Sequence, residues 1–347
     1  MNVLVAPEVR DLAPLAKQLA AWMSGKMPEA SDIRVENLTY PSGAGQSHET
    51  ILFDASWTEG RRRVEQGCVV RIKPSRHTVF PDTLFEQQQQ VMQLLHAGGR
   101  VRVAKIFWSE TDPSVLGAPF FVMEKLRGRV AVSVPPYAQS GWVAEATPAQ
   151  RAKMWENGVR QLAAIQSAPL DRCGFLAGPA HAPSGLEQEW DKYVRFAAWV
   201  SEDRPWPVLQ TALDRLRARW PKNQPAGLVW GDARLGNMMF DESFEVLAVM
   251  DWEQPSLGGA LHDLAWWLTL AETMHGASGG RTHLEGMGTR EETIALWREL
   301  TGISTDDIEW YEDFTALKIS CLSIRVAALK GWPEPKEADL ARRLKLA

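Results

Sequence analysis

Residues 227–253 read GLVWGDARLGNMMFDESFEVLAVMDWE, and no other stretch of the 347-residue chain restricts its fold as tightly. Two short apolar runs, 227–230 and 244–250, border a polar segment, Gly231-Asp-Ala-Arg-Leu-Gly-Asn237, and the second run ends on Asp251-Trp252-Glu253. Runs of this length, rich in Val, Leu and Phe and bounded by Gly, Asp and Ser, predict buried strands. Asp241-Glu242-Ser243 predicts the turn between them. Such a hairpin carries Asp232 and Asn237 at the end of one arm and Asp251 at the end of the other, drawing three oxygen-bearing side chains to one place.

Phosphoryl transfer needs a set of this kind. One carboxylate orients and deprotonates an attacking hydroxyl, while a second carboxylate and an amide oxygen hold Mg²⁺, a hard ion that takes oxygen ligands. In kinase catalytic loops the metal-binding Asn follows the catalytic Asp by five residues, the interval from Asp232 to Asn237. Asp251 then falls where a second metal-binding Asp is expected. An isolated Asp beside a turn usually only caps it, so the case rests on the combination.

On these residues the chain resembles the aminoglycoside and choline kinase-like phosphotransferase family, in particular the branch also found fused to long acyl-CoA dehydrogenases. The resemblance implies an α+β, protein-kinase-like two-lobed fold, with a small antiparallel-sheet N-lobe carrying one main helix and a larger, mainly helical C-lobe. It implies residues 1–127 as a nucleotide-binding lobe with a leading helix and 128–347 as the catalytic and substrate-binding lobe. It also implies ATP and Mg²⁺ as cofactors and a small-molecule hydroxyl as phosphate acceptor. Asp232 would be the base and Asn237 with Asp251 the metal ligands, assisted by Glu253. Arg234 takes the position of a kinase Lys that touches the transferring phosphate. Asp263 matches a structural Asp that braces the catalytic loop. The chain departs from the family at Trp230, where relatives generally have His before Gly-Asp. Gln166 also stands where many relatives have His.

Upstream, Ser42-Gly-Ala-Gly-Gln-Ser47 offers Gly43 and Gly45 for close backbone approach to phosphates, since glycine tolerates positive φ and leaves N–H groups accessible. A glycine hairpin is usually only a hairpin, and no GxxxxGK[ST] motif is present. The strand predicted over 67–73 alternates so that Val69, Arg71 and Lys73 share a face. By the resemblance Arg71, in VVRIKP, takes the phosphate-binding position held by Lys in kinases; its planar fork is not equivalent to a point charge. A helix predicted from Pro81-Asp82 to Gly98-Gly99 carries Glu86 where kinases place the partner of that basic residue. The segment around Glu124 to Leu126 resembles the family's adenine-binding hinge.

Other helices are predicted over 11–24, capped by Asp11 and stopped by Gly25, and over 148–167, opened by a Thr147/Gln150 capping box with Pro148 at its first position. Further helices are predicted over 186–201, 208–219 and from 261, with later starts at Thr289 and Ser304. A net charge of −5 gives no electrostatic case for nucleic acid. No apolar run approaches a membrane span. Three widely spaced cysteines suggest neither a disulfide framework nor a zinc site, and fit a reducing cytoplasm. The sixteen tryptophans read as packing residues. A monomer or homodimer is expected.

Three functional readings stay open on the sequence. The first is a small-molecule hydroxyl kinase. The second is a nucleotide-binding pseudokinase without transfer activity, to which Trp230 lends weight because an indole donates only one hydrogen bond. The third is a metal-dependent phosphohydrolase using His262-Asp263 with His275 and His283. For the acceptor, the acidic residues Asp306, Asp307, Glu309, Glu312 and Asp313 could suit a polycationic aminoglycoside, although such a run is more often a solvated helix face. Arg281, Arg290, Arg325 and Lys330 could instead meet the phosphates of a hydroxyacyl-CoA, the acceptor class to which the fused branch points.

Overall fold

The computed structural model describes residues 10–41, 49–74, 79–276 and 283–346. The chain divides into two compact units, residues 1–79 with 104–127, and 80–103 with 128–347.

The first unit is an antiparallel five-stranded sheet with one long helix. Its strands are β1 (Ala30–Thr39), β2 (Glu49–Glu59), β3 (Arg62–Ile72), β4 (Ile106–Glu110) and β5 (Phe120–Glu124), in the order β1-β2-β3-β5-β4. Helix α1 (Leu12–Lys26) lays Leu15, Leu19, Trp22 and Met23 into a core with Ile51, Phe53, Val70 and Phe120, the i, i+4, i+7 stripe of a surface helix meeting one face of a sheet. Asp11 caps α1 by accepting from the Ala13 N–H at 3.1 Å, as the sequence predicts. Gly25 does not stop it, because the helix runs on to Lys26, whose ammonium reaches Glu110 at 3.1 Å.

The second unit is mainly helical. It contains α2 (Phe85–Gly98), α4 (Trp142–Glu145), α5 (Pro148–Ile165), α6 (Leu186–Trp199), α7 (Pro207–Ala218), α8 (Leu261–Met274), α9 (Arg290–Thr301), α10 (Ile308–Lys330) and α11 (Glu337–Arg343); the short α3 (Pro113–Leu116) belongs to the first unit. Helix α2 begins three residues after Asp82, with Leu84 at its N-cap, and Asp82 instead pairs with Arg195. It groups with the second unit, where it packs on the short turn at Gly174–Leu176. Both reciprocal bonds of the Thr147/Gln150 capping box form, and Thr289 with Glu292 makes a second box that opens α9. The start expected at Ser304 falls later, at Ile308, since the Asp307 carboxylate is taken by the Lys222 and Asn223 N–H groups. Helices α8 and α10 pack together as the centre of the unit, against α7 and α9. A small sheet of β6 (Arg129–Val130), β7 (Met238–Phe240) and β8 (Val246–Val249), in that order, lies beside α5. The three cysteines are buried and free. Among the described residues no helix is long and apolar enough to cross a membrane.

Candidate active site

The hairpin that carries the polar segment differs from its sequence expectation in one arm. β8 pairs not with 227–230 but with β7, which follows the segment, in the register Met238↔Val249 and Phe240↔Val246. Residues 227–230 contribute a single bridge, Val229 to Ser256. The next two N–H groups are already taken. Trp230 N donates to Asp263 Oδ2 at 2.6 Å and Gly231 N to Asp263 Oδ1 at 2.9 Å, leaving no ladder to continue. The turn at 241–243 forms as predicted, with Asp241 Oδ1 accepting from Ser243 N, Ser243 Oγ and Glu245 N.

The β7–β8 register brings the polar side chains together. Asn237 stands opposite Met250, whose N–H donates to the Asn237 carbonyl at 2.8 Å, so Asp251 follows directly across from the Asp232 segment. Asp232 is held from three sides. Its Oδ2 accepts from Asn237 Nδ2 at 2.6 Å and from Arg234 Nε at 3.0 Å, and its Oδ1 accepts from the Trp266 indole at 2.8 Å. Arg234 also donates to Ser133 Oγ at 2.6 Å. Burial works against the Arg234 charge, yet attraction to Asp232 and Asp251 outweighs it and pushes its pKa further up. Asn237 commits its amide N–H₂ to Asp232, which orients its oxygen as the atom to offer a cation. An amide oxygen and a carboxylate form a hard donor set that suits Mg²⁺. Asp251 has φ +61°, the left-handed region that costs a non-glycine residue about 1 kcal/mol or more. Gly231, at φ +104°, has no room for a Cβ, which would come 2.7 Å from the Gln254 carbonyl.

Two tryptophans complete the arrangement as donors rather than as packing alone. Trp230, fully buried, donates its indole N–H to the Met250 carbonyl at 2.7 Å and lies against Trp252 at 5.8 Å. Trp266 sits three residues beyond Asp263 on α8, so one helix face holds the loop by its backbone and its carboxylate together. Burial pushes the Asp263 carboxyl up to about 6, although the two N–H groups it accepts oppose that shift.

Comparison with known proteins fits this geometry. Residues 45–300, about three quarters of the chain, match the profile of the phosphotransferase enzyme family APH. The chain belongs to that family. Human acyl-CoA dehydrogenase family member 11 is 26% identical over 291 residues, covering 78% of this chain but 35% of that protein, so the chain spans about a third of the length of this relative. A crystal structure from Ralstonia eutropha, provisionally assigned as an aminoglycoside phosphotransferase, has a TM-score of 0.69 at 23% identity over 95% of this chain and 94% of that one. An amicoumacin kinase solved in complex with AMP-PNP, Ca²⁺ and Ami has a TM-score of 0.57 at 14% identity, covering 96% of this chain and 94% of that one. These likenesses show a kinase-like, two-lobed α+β fold.

The family's other expected positions fall as follows. Arg71 lies on β3, buried, paired in register with Thr50 and Phe121. Glu124 ends β5 opposite Cys68, and its N–H donates to the Lys105 carbonyl at 2.8 Å; Leu126 follows, just before the boundary between the units. Glu86 is in the first turn of α2 in the second unit. Gly43 and Gly45 lie outside the described residues, as does Arg281. Gln166, at the end of α5, donates to the Leu228 carbonyl at 3.1 Å and so holds the entry to the catalytic segment.

Beside Arg234 a shallow cleft, with enclosed space of only about 10 Å³, is lined among the described residues by Ser133, Tyr137, Leu235, Trp267, Leu270 and Met274, among others, and by no carboxylate. Tyr137 OH lies 2.6 Å from His275 Nδ1. Burial, with His283 beside it, holds the His275 imidazole neutral down to about 3, and the direction of this hydrogen bond follows the imidazole tautomer.

The residues of the metal-hydrolase reading are not assembled. His262 is buried with Nδ1 3.2 Å from Lys318 Nζ, and His275 is committed to Tyr137. Among the described residues no group of three His, Cys, Asp or Glu is placed to hold a metal. The acidic run is likewise engaged elsewhere: Asp307 with the 222–223 backbone, Asp313 with Arg219 and Lys345, and Glu309 and Glu312 with Arg290. Arg290 is thereby neutralised, and Arg325 stacks on Trp199 at 4.2 Å, which leaves neither as a ready phosphate contact. Sequence reading passed over Ser133 and Trp266, since neither belongs to a motif and only the fold brings them beside Asp232.

Proposed function

We propose that this chain moves the γ-phosphate of ATP to a hydroxyl group of a small molecule. The observation that carries this reading is the Asp232 carboxylate, bridged by Asn237 and Arg234 and set across the β7–β8 register from Asp251. Asp232 orients the acceptor hydroxyl and takes its proton, a contribution of about 10²–10⁴-fold. Arg234 neutralises charge on the phosphoryl group in flight. Asn237 and Asp251 would hold Mg²⁺, which neutralises the phosphate oxygens when bound. Residues 1–127 serve nucleotide binding, with Gly43, Gly45 and Arg71 assigned to the phosphates, Glu124 to Leu126 to adenine, and Glu86 among the cofactor-binding residues.

For the acceptor, the cleft beside Arg234 supports a hydroxylated metabolite over an aminoglycoside. A polycationic sugar needs carboxylates, whereas this wall is Leu235, Trp267, Leu270, Ala271 and Met274 with neutral polar groups and one arginine. The hydroxyacyl-CoA class is suggested by the likeness to acyl-CoA dehydrogenase family members, and Arg290 and Arg325 are not assigned to its phosphates. The test is ATP consumption across hydroxyacyl-CoAs, amino alcohols and aminoglycosides, with Asp232→Asn as control. Turnover confined to the hydroxyacyl set supports the reading in full, and turnover on aminoglycosides overturns the acceptor class. ATP binding without transfer to any hydroxyl compound would establish the pseudokinase instead. Trp230 does not favour that outcome, because its single N–H already ties Met250 beside Asp251.

A further inference from the structure

The three hydrogen bonds to Asp232 are unequally divided between its two oxygens. An ionised carboxylate has about four lone-pair positions, two on each oxygen. Oδ2 receives Asn237 Nδ2 at 2.6 Å and Arg234 Nε at 3.0 Å, which fills both of its positions. Oδ1 receives the Trp266 indole at 2.8 Å. Trp266 is 6% exposed, so its ring cannot swing away without leaving the core, and an indole has no second N–H to offer elsewhere. It lies on α8 one helical turn beyond Asp263, which fixes the Trp230 and Gly231 backbone at 2.6 and 2.9 Å. One rigid helix therefore fixes both the loop backbone and the Oδ1 edge of the carboxylate, while Arg234 and Asn237 hold the Oδ2 edge.

We propose that Trp266 is a positioning residue for phosphate transfer, holding Asp232 so that the remaining lone pair of Oδ1 faces the acceptor hydroxyl. This rests on the kinase reading above. In the step, the acceptor oxygen bonds to the γ-phosphorus as the bond from that phosphorus to the ADP oxygen breaks. The bonding pair leaves on ADP, and the acceptor's proton passes to Oδ1. Arg234 and Asn237 keep Oδ2 throughout, so the proton has one destination. Without the indole Oδ2 stays on Arg234 and Asn237 while Oδ1 loses its fixed donor, so the carboxylate can tilt about its Oδ2 edge, and a misplacement on the scale of 1 Å costs about 10²-fold in rate.

The test compares Trp266→Phe, Asp232→Asn and the unaltered protein for kcat, KM for ATP, nucleotide affinity and thermal midpoint, with the acceptor found in the screen. The expected result is an inactive Asp232→Asn and a Trp266→Phe whose kcat falls about 10²-fold with KM for ATP and nucleotide affinity unchanged. Unaltered kcat in Trp266→Phe beside an inactive Asp232→Asn overturns the role of Trp266 and leaves the kinase reading standing. Full turnover by Asp232→Asn overturns Asp232 as the base and Trp266 with it, whereas no transfer by the unaltered protein overturns the kinase reading itself. A second measurement needs no change at 266: the Trp266 indole N–H resonance should move when Asp232 becomes Asn. An unmoved resonance overturns the proposal whether or not the Phe variant folds.

Discussion

Two of the charge clusters in the second unit differ in one respect that separates them. The first joins Asp232, Arg234 and Asn237 beside Asp251. The second joins Glu189 and Lys192 on α6, Lys318 on α10, His262 on α8 and Ser256 in the connecting loop. In the second cluster the Glu189 and Lys318 side chains are 2% and 4% exposed and meet at 2.8 Å, and Ser256 donates to the other Glu189 oxygen at 2.6 Å. The Lys318 ammonium also sits over the Tyr193 and Phe314 rings. Both Glu189 oxygens are occupied, and Gly258 leaves no room, since a Cβ there would come 2.1 Å from Glu189 Cγ. In the first cluster Asp232 and Arg234 keep 31% and 27% of their side-chain surface, and among the described residues Asp232 Oδ1 accepts one hydrogen bond where Oδ2 accepts two. A buried set whose carboxylate oxygens are both taken holds helices together. A set left one partner short on its open side can bind and react.

The sharpest way to break this contrast is at Asp232 and Asp251. Replacing either by Ala should lower ATP-dependent transfer by at least about 10²–10⁴-fold while the thermal midpoint stays near that of the unaltered protein; near-normal turnover on the true substrate would remove the site assignment. The buried cluster should behave the opposite way. Lys318→Ala leaves the buried Glu189 with only the longer 3.6 Å contact to Lys192 and should cost up to about 3–5 kcal/mol of stability in denaturant titration. The double variant Lys318→Met with Glu189→Leu should recover most of it, since removing both charges removes the desolvation cost; failure to recover would show that the pair does more than join α6 to α10.

A smaller effect separates the two sets by pH. Burial opposes the Glu189 charge, but Lys192, Lys318 and His262 overcome it and hold the carboxyl well below its usual range. Its contribution to stability is therefore present above the ordinary Glu range and lost as pH falls through and below it. Asp263 has the reverse sign: with its carboxyl raised to about 6, its contribution is complete below the ordinary Asp range and lost as pH rises through about 6. Asp263→Asn should flatten the fall in stability between about pH 4 and 6, and an unchanged slope there would assign it to another group. The smallest effect is expected at the surface: Arg290→Ala breaks contacts with Glu309 and Glu312 and should cost no more than about 1 kcal/mol. A larger loss, or any change in acceptor affinity, would bring that arginine back toward the substrate.

Much of the site was legible because its chemistry is local in the chain. The five-residue step from Asp232 to Asn237, the turn at 241–243 and the arrival of Asp251 after an apolar run are fixed by spacing, and the structure places these residues on one hairpin. The capping boxes at Thr147 and Thr289 were legible for the same reason, since each satisfies backbone groups within four residues. The pairing of β8 was not. Residues 227–230 and 238–240 are both short apolar runs, and the choice fell to the latter only because Asp263, some thirty residues later, takes the N–H groups of Trp230 and Gly231.

The sequence by itself determined which oxygen and nitrogen groups exist at the hairpin and their order along it, because strand period and turn chemistry act over a few residues. Tertiary structure alone decided what those groups bond to. The Trp266 indole reaches Asp232 across 34 positions, Ser133 reaches Arg234 across 101, and Lys318 reaches Glu189 across 129. Hydrogen bonds form over about 3 Å, and only the packing of α8 and α10 brings groups so distant in the chain within that reach.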